Sequence, residues 1–153
     1  MDWIWEMCTN PFLLTAVSAW LIAQVLKTLI NAVMNKKLSL ERMVGDGGMP
    51  SGHSATVTSL ATLSALTYGP GSFQFAVTAI LALIVCHDAM GVRQETGKQA
   101  IIINEMMEVF KTLSEEELTE VKLKELVGHT PLQVSAGILL GFLTALGMYY
   151  VVL

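Results

Sequence analysis

Charge is scarce in this chain of 153 residues: Asp, Glu, Lys and Arg make up 14% of it, against roughly 25% in soluble proteins. The shortage is local. Met7–Leu26, Ser54–Cys86 and Leu132–Leu153, of 20, 33 and 22 residues, contain no Asp, Glu, Lys or Arg. With a mean hydropathy of +0.57, this argues against an ordinary water-soluble domain. Positive charge is short as well. A net charge of −4 and a pI near 5.3 leave no basic surface to displace counterions from phosphates, which argues against nucleic acid as a partner. Cysteine is limited to Cys8 and Cys86, without CxxC spacing, so both are expected to be packing residues rather than redox or zinc groups. The N-terminus, Met1-Asp-Trp-Ile-Trp-Glu6, lacks the basic residues of a cleaved signal and is expected to stay attached. Internal repeats and low-complexity tracts are also missing.

Long apolar runs are what the chain has instead. About 20 apolar residues cross a bilayer core as helix, so the first and last uncharged stretches each cross once. The middle one crosses twice, turning at Tyr68-Gly-Pro-Gly-Ser72, where Pro70 disfavours helix at Gly69. The expectation is an all-α integral membrane helical bundle forming a single domain. About four transmembrane helices are expected at 11–34, 54–68, 72–87 and 131–153, with a helical insert at 91–128. The middle two cover only about 23 Å each, so either the bilayer thins there or they begin inside a polar pocket below the membrane surface.

All nine Lys and Arg then fall on one side of the bundle or in the half of the first span nearest it. The positive-inside rule puts that side in the cytoplasm, and both termini outside the cell membrane. Within the insert, Ile101, Ile102, Met106, Val109, Phe110 and Leu113 form an apolar stripe suited to the membrane interface. Ser114-Glu-Glu-Glu117 has the capping-box pattern of a helix running to about Val127, with Gly128 as its C-cap.

Chemistry-bearing residues gather on the charged side. Lys27 lies within the hydrophobic run of the first helix, where a charge costs at least roughly 2.5–3.5 kcal/mol unless partnered. It either snorkels to the cytoplasmic surface or binds an anion. Gly47-Gly-Met-Pro-Ser-Gly-His-Ser54 brings a flexible loop into a helix N-terminus, where free amides and the helix dipole favour phosphate. Ser51 adds a hydroxyl and His53 a proton carrier; the plainer possibility is a capped membrane-entry turn. Asp88 and Arg93 follow the third span, either closing a polar mouth over the bundle or pairing with each other; Lys98 lies nearby. His129 precedes the last span, and Gln133, four residues on, shares its face and can orient the imidazole. The residues His53, His87, His129, Asp46 and Asp88 also admit a metal reading, but no HExxH or comparable spacing is present.

Gly47-Gly-Met-Pro-Ser-Gly-His-Ser54, Asp88-Ala-Met-Gly-Val-Arg93 with Gly97-Lys-Gln-Ala100, and Gly128-His-Thr-Pro131, in this order, resemble the divergent branch of the type 2 phosphatidic acid phosphatase family, related to acid phosphatases and vanadium-dependent haloperoxidases. The resemblance covers nearly the whole chain. It implies His53 as general acid, His129 as the nucleophile that forms a phosphohistidine, and Ser51 and Gly52 as part of a phosphate cradle. Lys27, Arg93 and Lys98 are candidates to hold phosphate by their own placement, whereas the family's first block, Lys, six residues, then Arg-Pro, is not matched: Lys27 and Arg42 are too far apart, Lys36 and Arg42 one residue too close, and no Pro follows Arg42. The match is incomplete: no Arg lies between Arg93 and His129, and Gln133 stands where the family has Asp. Asp88 is the candidate to supply the missing carboxylate from another helix.

The expected activity is hydrolysis of a lipid phosphomonoester or diphosphate, from a phospholipid or polyprenyl phosphate, at the cytoplasmic membrane face, with no metal and no cofactor. The alternative is a non-catalytic membrane protein that binds an anionic headgroup or a partner protein. A homodimer is one expectation for so small a bundle, although Gly137 and Gly141, at GxxxG spacing, can equally pack within one chain.

Overall fold

The computed structural model describes residues 2–36, 47–113, 123 and 127–152, and among them all regular structure is helical. The elements are α1 (Asp2–Cys8), α2 (Pro11–Asn35), α3 (Gly52–Tyr68), α4 (Phe73–Met90), α5 (Val92–Leu113) and α6 (Pro131–Val151). Each of α2, α3, α4 and α6 opens on a polar residue whose oxygen takes up amides the helix cannot satisfy. Asn10 Oδ1 accepts from the Phe12 and Leu13 N–H groups at 2.9 and 3.3 Å. Ser51 Oγ accepts from Ser54 N–H at 3.3 Å, and Ser72 Oγ from Phe75 N–H at 3.2 Å. Pro11 and Pro131 occupy the first turns of α2 and α6, where a missing N–H costs nothing. α4 stops at Gly91, whose N–H bonds the His87 carbonyl at 2.9 Å, and α5 begins at the next residue.

Among the described residues three helical stretches are long and apolar enough to cross a membrane: Pro11–Met34, Phe73–Leu113 and Pro131–Val151. α3, with 17 residues, is not one of them, so the four expected crossings resolve into three such stretches and a shorter helix. The reason is its surroundings. α3 packs against α2, α4 and α6, and Ser54, Ala55, Ser59, Ala61 and Ser64 are buried along it. A helix sheathed by protein can be built of small and hydroxyl residues that lipid would not tolerate.

Close approach holds α3 in the centre. Helices in lipid gain nothing from burying apolar side chains against each other, so small residues that admit van der Waals contact decide the packing. A Cβ at Gly137 would lie 2.5 Å from the Ser51 carbonyl oxygen, and one at Gly141 would collide with the Ala55 carbonyl oxygen. The GxxxG pair is therefore used within the chain. On the other flank, Ala19 and Ala23 of α2 pack with Ala55 and Leu140. Between α3, α4 and α6, Val57, Cys86, Ala89 and Val134 form a second cluster. Cys86 is thus a packing residue as expected, but Cys8 is exposed on α1, which among the described helices touches only α2.

Direction follows from the two ends. Phe12 and Tyr68 stack at 5.4 Å at one end. At the other, Ser51 N–H bonds the Gln133 carbonyl at 3.0 Å and His129 N–H the Ala89 carbonyl at 2.9 Å. α3 and α6 start side by side and run in parallel, with α2 and α4 antiparallel to them.

The expected insert at 91–128 is realised as α5 over 92–113. Among the described residues α5 meets no helix but α4. Ile102, Met106, Val109 and Leu113 are exposed along one stripe. On its opposite side Asn104 grips Leu123 through two 2.9 Å bonds, Nδ2–H to the carbonyl and backbone N–H to Oδ1. The capping box at Ser114–Glu117 and the helix it opens fall on 114–122 and 124–126, outside the described residues.

The α3–α6 contact gives a direct stability test. Gly141→Ala sets a methyl against backbone, and the purified protein is expected to lose about 1–3 kcal/mol in thermal or denaturant unfolding. Gly147→Ala, with nothing within 4 Å of the added carbon, is expected to leave stability unchanged or raise it slightly.

Candidate functional site

The site is made of helix beginnings. Ser51 fixes the start of α3 to the first turn of α6 through its N–H, and His129 fixes the approach to α6 against the end of α4. These two backbone bonds bring His53, in the first turn of α3, beside His129, one residue before the Thr130 N-cap. The imidazole centroids lie 6.0 Å apart with planes at 62°. His129 is buried at 4% exposure and His53 is half-buried. The rings meet although 76 positions of sequence separate them.

Gln133 settles which nitrogen of His129 carries the proton. Thr130 and Gln133 form a capping box: Gln133 N–H donates to Thr130 Oγ1 at 3.3 Å, and Thr130 N–H donates to Gln133 Oε1 at 3.1 Å. A backbone N–H can only donate, so the amide atom facing it is the oxygen. The same oxygen lies 3.2 Å from His129 Nδ1. An amide oxygen only accepts, so a neutral His129 holds its hydrogen on Nδ1 and its lone pair on Nε2. Thr130 was not singled out from the sequence, though the Thr130-x-x-Gln133 capping pattern was there to be read.

The α3 N-terminus adds amides. Ser51 is fully buried and its Oγ accepts from both Ser54 N–H and Ser54 Oγ–H, the latter at 3.0 Å. Its observed work is capping, and the Gly52 and His53 amides are the ones the helix leaves without intrahelical acceptors. A Cβ on Gly52 would sit 3.3 Å from Trp20 Cδ1, a tight fit.

The cations divide. Lys27, at 5% exposure, does not snorkel to open solvent. Its alkyl stem runs beneath Gly48, where a Cβ would lie 2.9 Å from Lys27 Cδ and where φ is +88°, a conformation suited to glycine. Lys27 and Gln133 line one hollow of about 290 Å³ together with Gly48 and Thr130. Arg93 lies at the α4–α5 corner. Gly128, at φ +84°, packs so tightly there that a Cβ would strike the Arg93 and Gln94 backbone. Arg93 Nε donates to Asp88 Oδ2 at 2.7 Å, with side chains 46% and 40% exposed. Asp88 is thus engaged with Arg93, and the described partner of His129 Nδ1 is the neutral amide of Gln133. Lys98 pairs with Glu95 at 2.6 Å on the open surface of α5, and the structure does not bring it to the mouth. Among the described residues no three His, Cys, Asp or Glu come together as a metal site; Asp46 lies outside them.

A family model described as the Divergent PAP2 family matches residues 8–144. A protein of Bacillus subtilis (strain 168), named as the uncharacterized membrane protein YuiD, is 41% identical over 154 residues, covering 95% of this chain and 98% of the relative. No solved structure matches the chain.

Nitrogen NMR of histidine-labelled protein checks the tautomer. Neutral His129 is expected protonated at Nδ1, and Gln133→Leu is expected to yield a tautomer mixture; an Nε2-protonated ring in the unaltered protein would contradict the assignment. For the exposed Asp88–Arg93 pair, Asp88→Asn is expected to change unfolding stability by less than about 1 kcal/mol.

Proposed function

We propose, from the premise that this chain belongs to the divergent PAP2 family, that it is a membrane phosphatase acting on lipid phosphomonoesters or diphosphates through a phosphohistidine. One observation carries this: the His53 and His129 rings meet edge to face with centroids 6.0 Å apart, with the His129 lone pair directed to Nε2 by its Gln133 contact. Nε2 attacks phosphorus, the bond from phosphorus to the lipid oxygen breaks, and His53 gives the departing alkoxide its proton. Water then attacks the phosphohistidine, His53 takes a proton from it, and inorganic phosphate leaves. The Gly52 and His53 amides, with Lys27 and Arg93, bear on the oxygens whose charge grows in each transition state. No step is routed through a metal, and every group named comes from one chain.

The lysine and arginine distribution supports a mouth facing the cytoplasm, with both termini outside the cell membrane. A second function, headgroup binding without turnover, is favoured by one feature: Gln133 orients His129 but supplies no negative charge to the imidazolium that attack creates.

The two separate in one assay, phosphate release by purified protein from a panel of lipid phosphates with EDTA present. Hydrolysis is expected for at least one lipid. His129→Ala is expected to abolish it, and His53→Ala to slow it by about 10²–10⁴-fold. Saturable lipid binding with no release would instead establish the binding function, and release unchanged in His129→Ala would refute the phosphohistidine route.

A further inference from the structure

Resting on the phosphatase proposal, we infer that the hollow beside Lys27 holds the part of the lipid next to its phosphate, and that the lipid enters it sideways from the bilayer between α2 and α6. Lys27, Ile30 and Met34 line it from one face of α2, Met49 from the glycine loop, and Leu132 and Gln133 from the first turn of α6. α2 and α6 pack against each other, and these positions are the last turns of one membrane-crossing stretch and the first turn of another, Pro11–Met34 and Pro131–Val151. The hollow therefore lies at the depth where lipid phosphates sit.

Its lining is graded. The buried cation and the Gln133 amide that orients His129 lie toward the bundle, whereas Met34 and Leu132, 77% and 69% exposed, form the rim. A site for a water-soluble phosphate ester has no use for an aliphatic and thioether rim; a chain passing from headgroup to hydrocarbon does, and methionine adapts to such chains. Size points the same way. About 290 Å³ is at the lower edge of the roughly 300–1,000 Å³ typical of ligand pockets. That is room for a phosphate-bearing end and the first carbons, so the remaining tail must stay in the bilayer and the hollow must open laterally. Ile30, Met34, Met49 and Leu132 then select for a tail, a role separate from the phosphate chemistry at the histidines.

The test uses binding, so that it stands apart from turnover. Non-hydrolysable hexadecylphosphonate and methylphosphonate, which share a headgroup and differ in tail, are titrated into the full chain in lipid nanodiscs. Ile30→Trp and Leu132→Trp fill the hollow from different helices, and Leu143→Trp adds the same bulk at an exposed position of α6 outside it. Both filling variants are expected to bind hexadecylphosphonate at least tenfold more weakly than the unaltered chain, with methylphosphonate changed less than twofold, and Leu143→Trp is expected to alter neither. Hexadecylphosphonate binding unchanged in both folded variants, parallel loss of both ligands, or no binding of either phosphonate by the unaltered chain would overturn the inference. Should one variant fail to fold, as judged by thermal unfolding, the other decides. If this selectivity holds while no lipid is hydrolysed, the catalytic proposal falls and the tail site stands; hydrolysis without the selectivity reverses that outcome.

Discussion

The contact between the glycine face of α6 and the backbone of α3 is the constraint on which the rest of the molecule depends. Gly137 and Gly141 lie so near the Ser51 and Ala55 carbonyls that even a methyl has no room. At that distance the Ser51 N–H reaches the Gln133 carbonyl, and two helix N-termini open side by side. Helix N-termini are where backbone amides and dipoles favour an anion. Because the lipid provides no hydrophobic drive for helix association, the fit of small residues must do this placing. The polar, buried surface of α3 is a consequence, since a helix enclosed by three others need not be apolar.

Much of this arrangement was legible in sequence for plain physical reasons. Runs without charge, the Tyr68–Ser72 turn and the prolines at 11 and 131 mark helices whose ends the structure places within a few residues of expectation. The grouping of Lys27, Ser51, His53, Asp88, Arg93 and His129 at one end follows from antiparallel topology. Distance along a helix, however, says nothing of reach across a bundle. Lys98 sits on α5, which leaves the mouth at the Gly91 break, and so pairs with Glu95 at the surface. By length and hydropathy three stretches qualify as crossings, and α3 stands apart from them: its serines and threonines and its length of 17 residues suit a helix packed within protein. The Thr130–Gln133 capping box is a local sequence pattern, but its bearing on the His129 tautomer depends on where the Gln133 oxygen points, which sequence does not fix.

Gln133 gives the site its particular character. A carboxylate at that position would both fix the Nδ1 hydrogen and stabilise the positive ring; the amide does only the first. Asp88 does not make up the difference in this structure, since its oxygen is held by Arg93 at 2.7 Å. The proposed chemistry then leans on amides at the start of α3 and on Lys27, whose side chain is 5% exposed, where water screens charge little. The exposed Asp88–Arg93 ion pair lies toward the surface, and the Lys27 cation is buried.

The most direct measurement is rapid chemical quench of the purified protein after mixing with a lipid phosphate labelled at phosphorus, followed by mapping of the label along the chain. Expected is an acid-labile, base-stable phosphoryl group on His129 that forms and decays at rates compatible with phosphate release. Phosphate release with no label at His129, or a label carried by another residue, would contradict the claim that this meeting of helix ends is a phosphoryl-transfer centre.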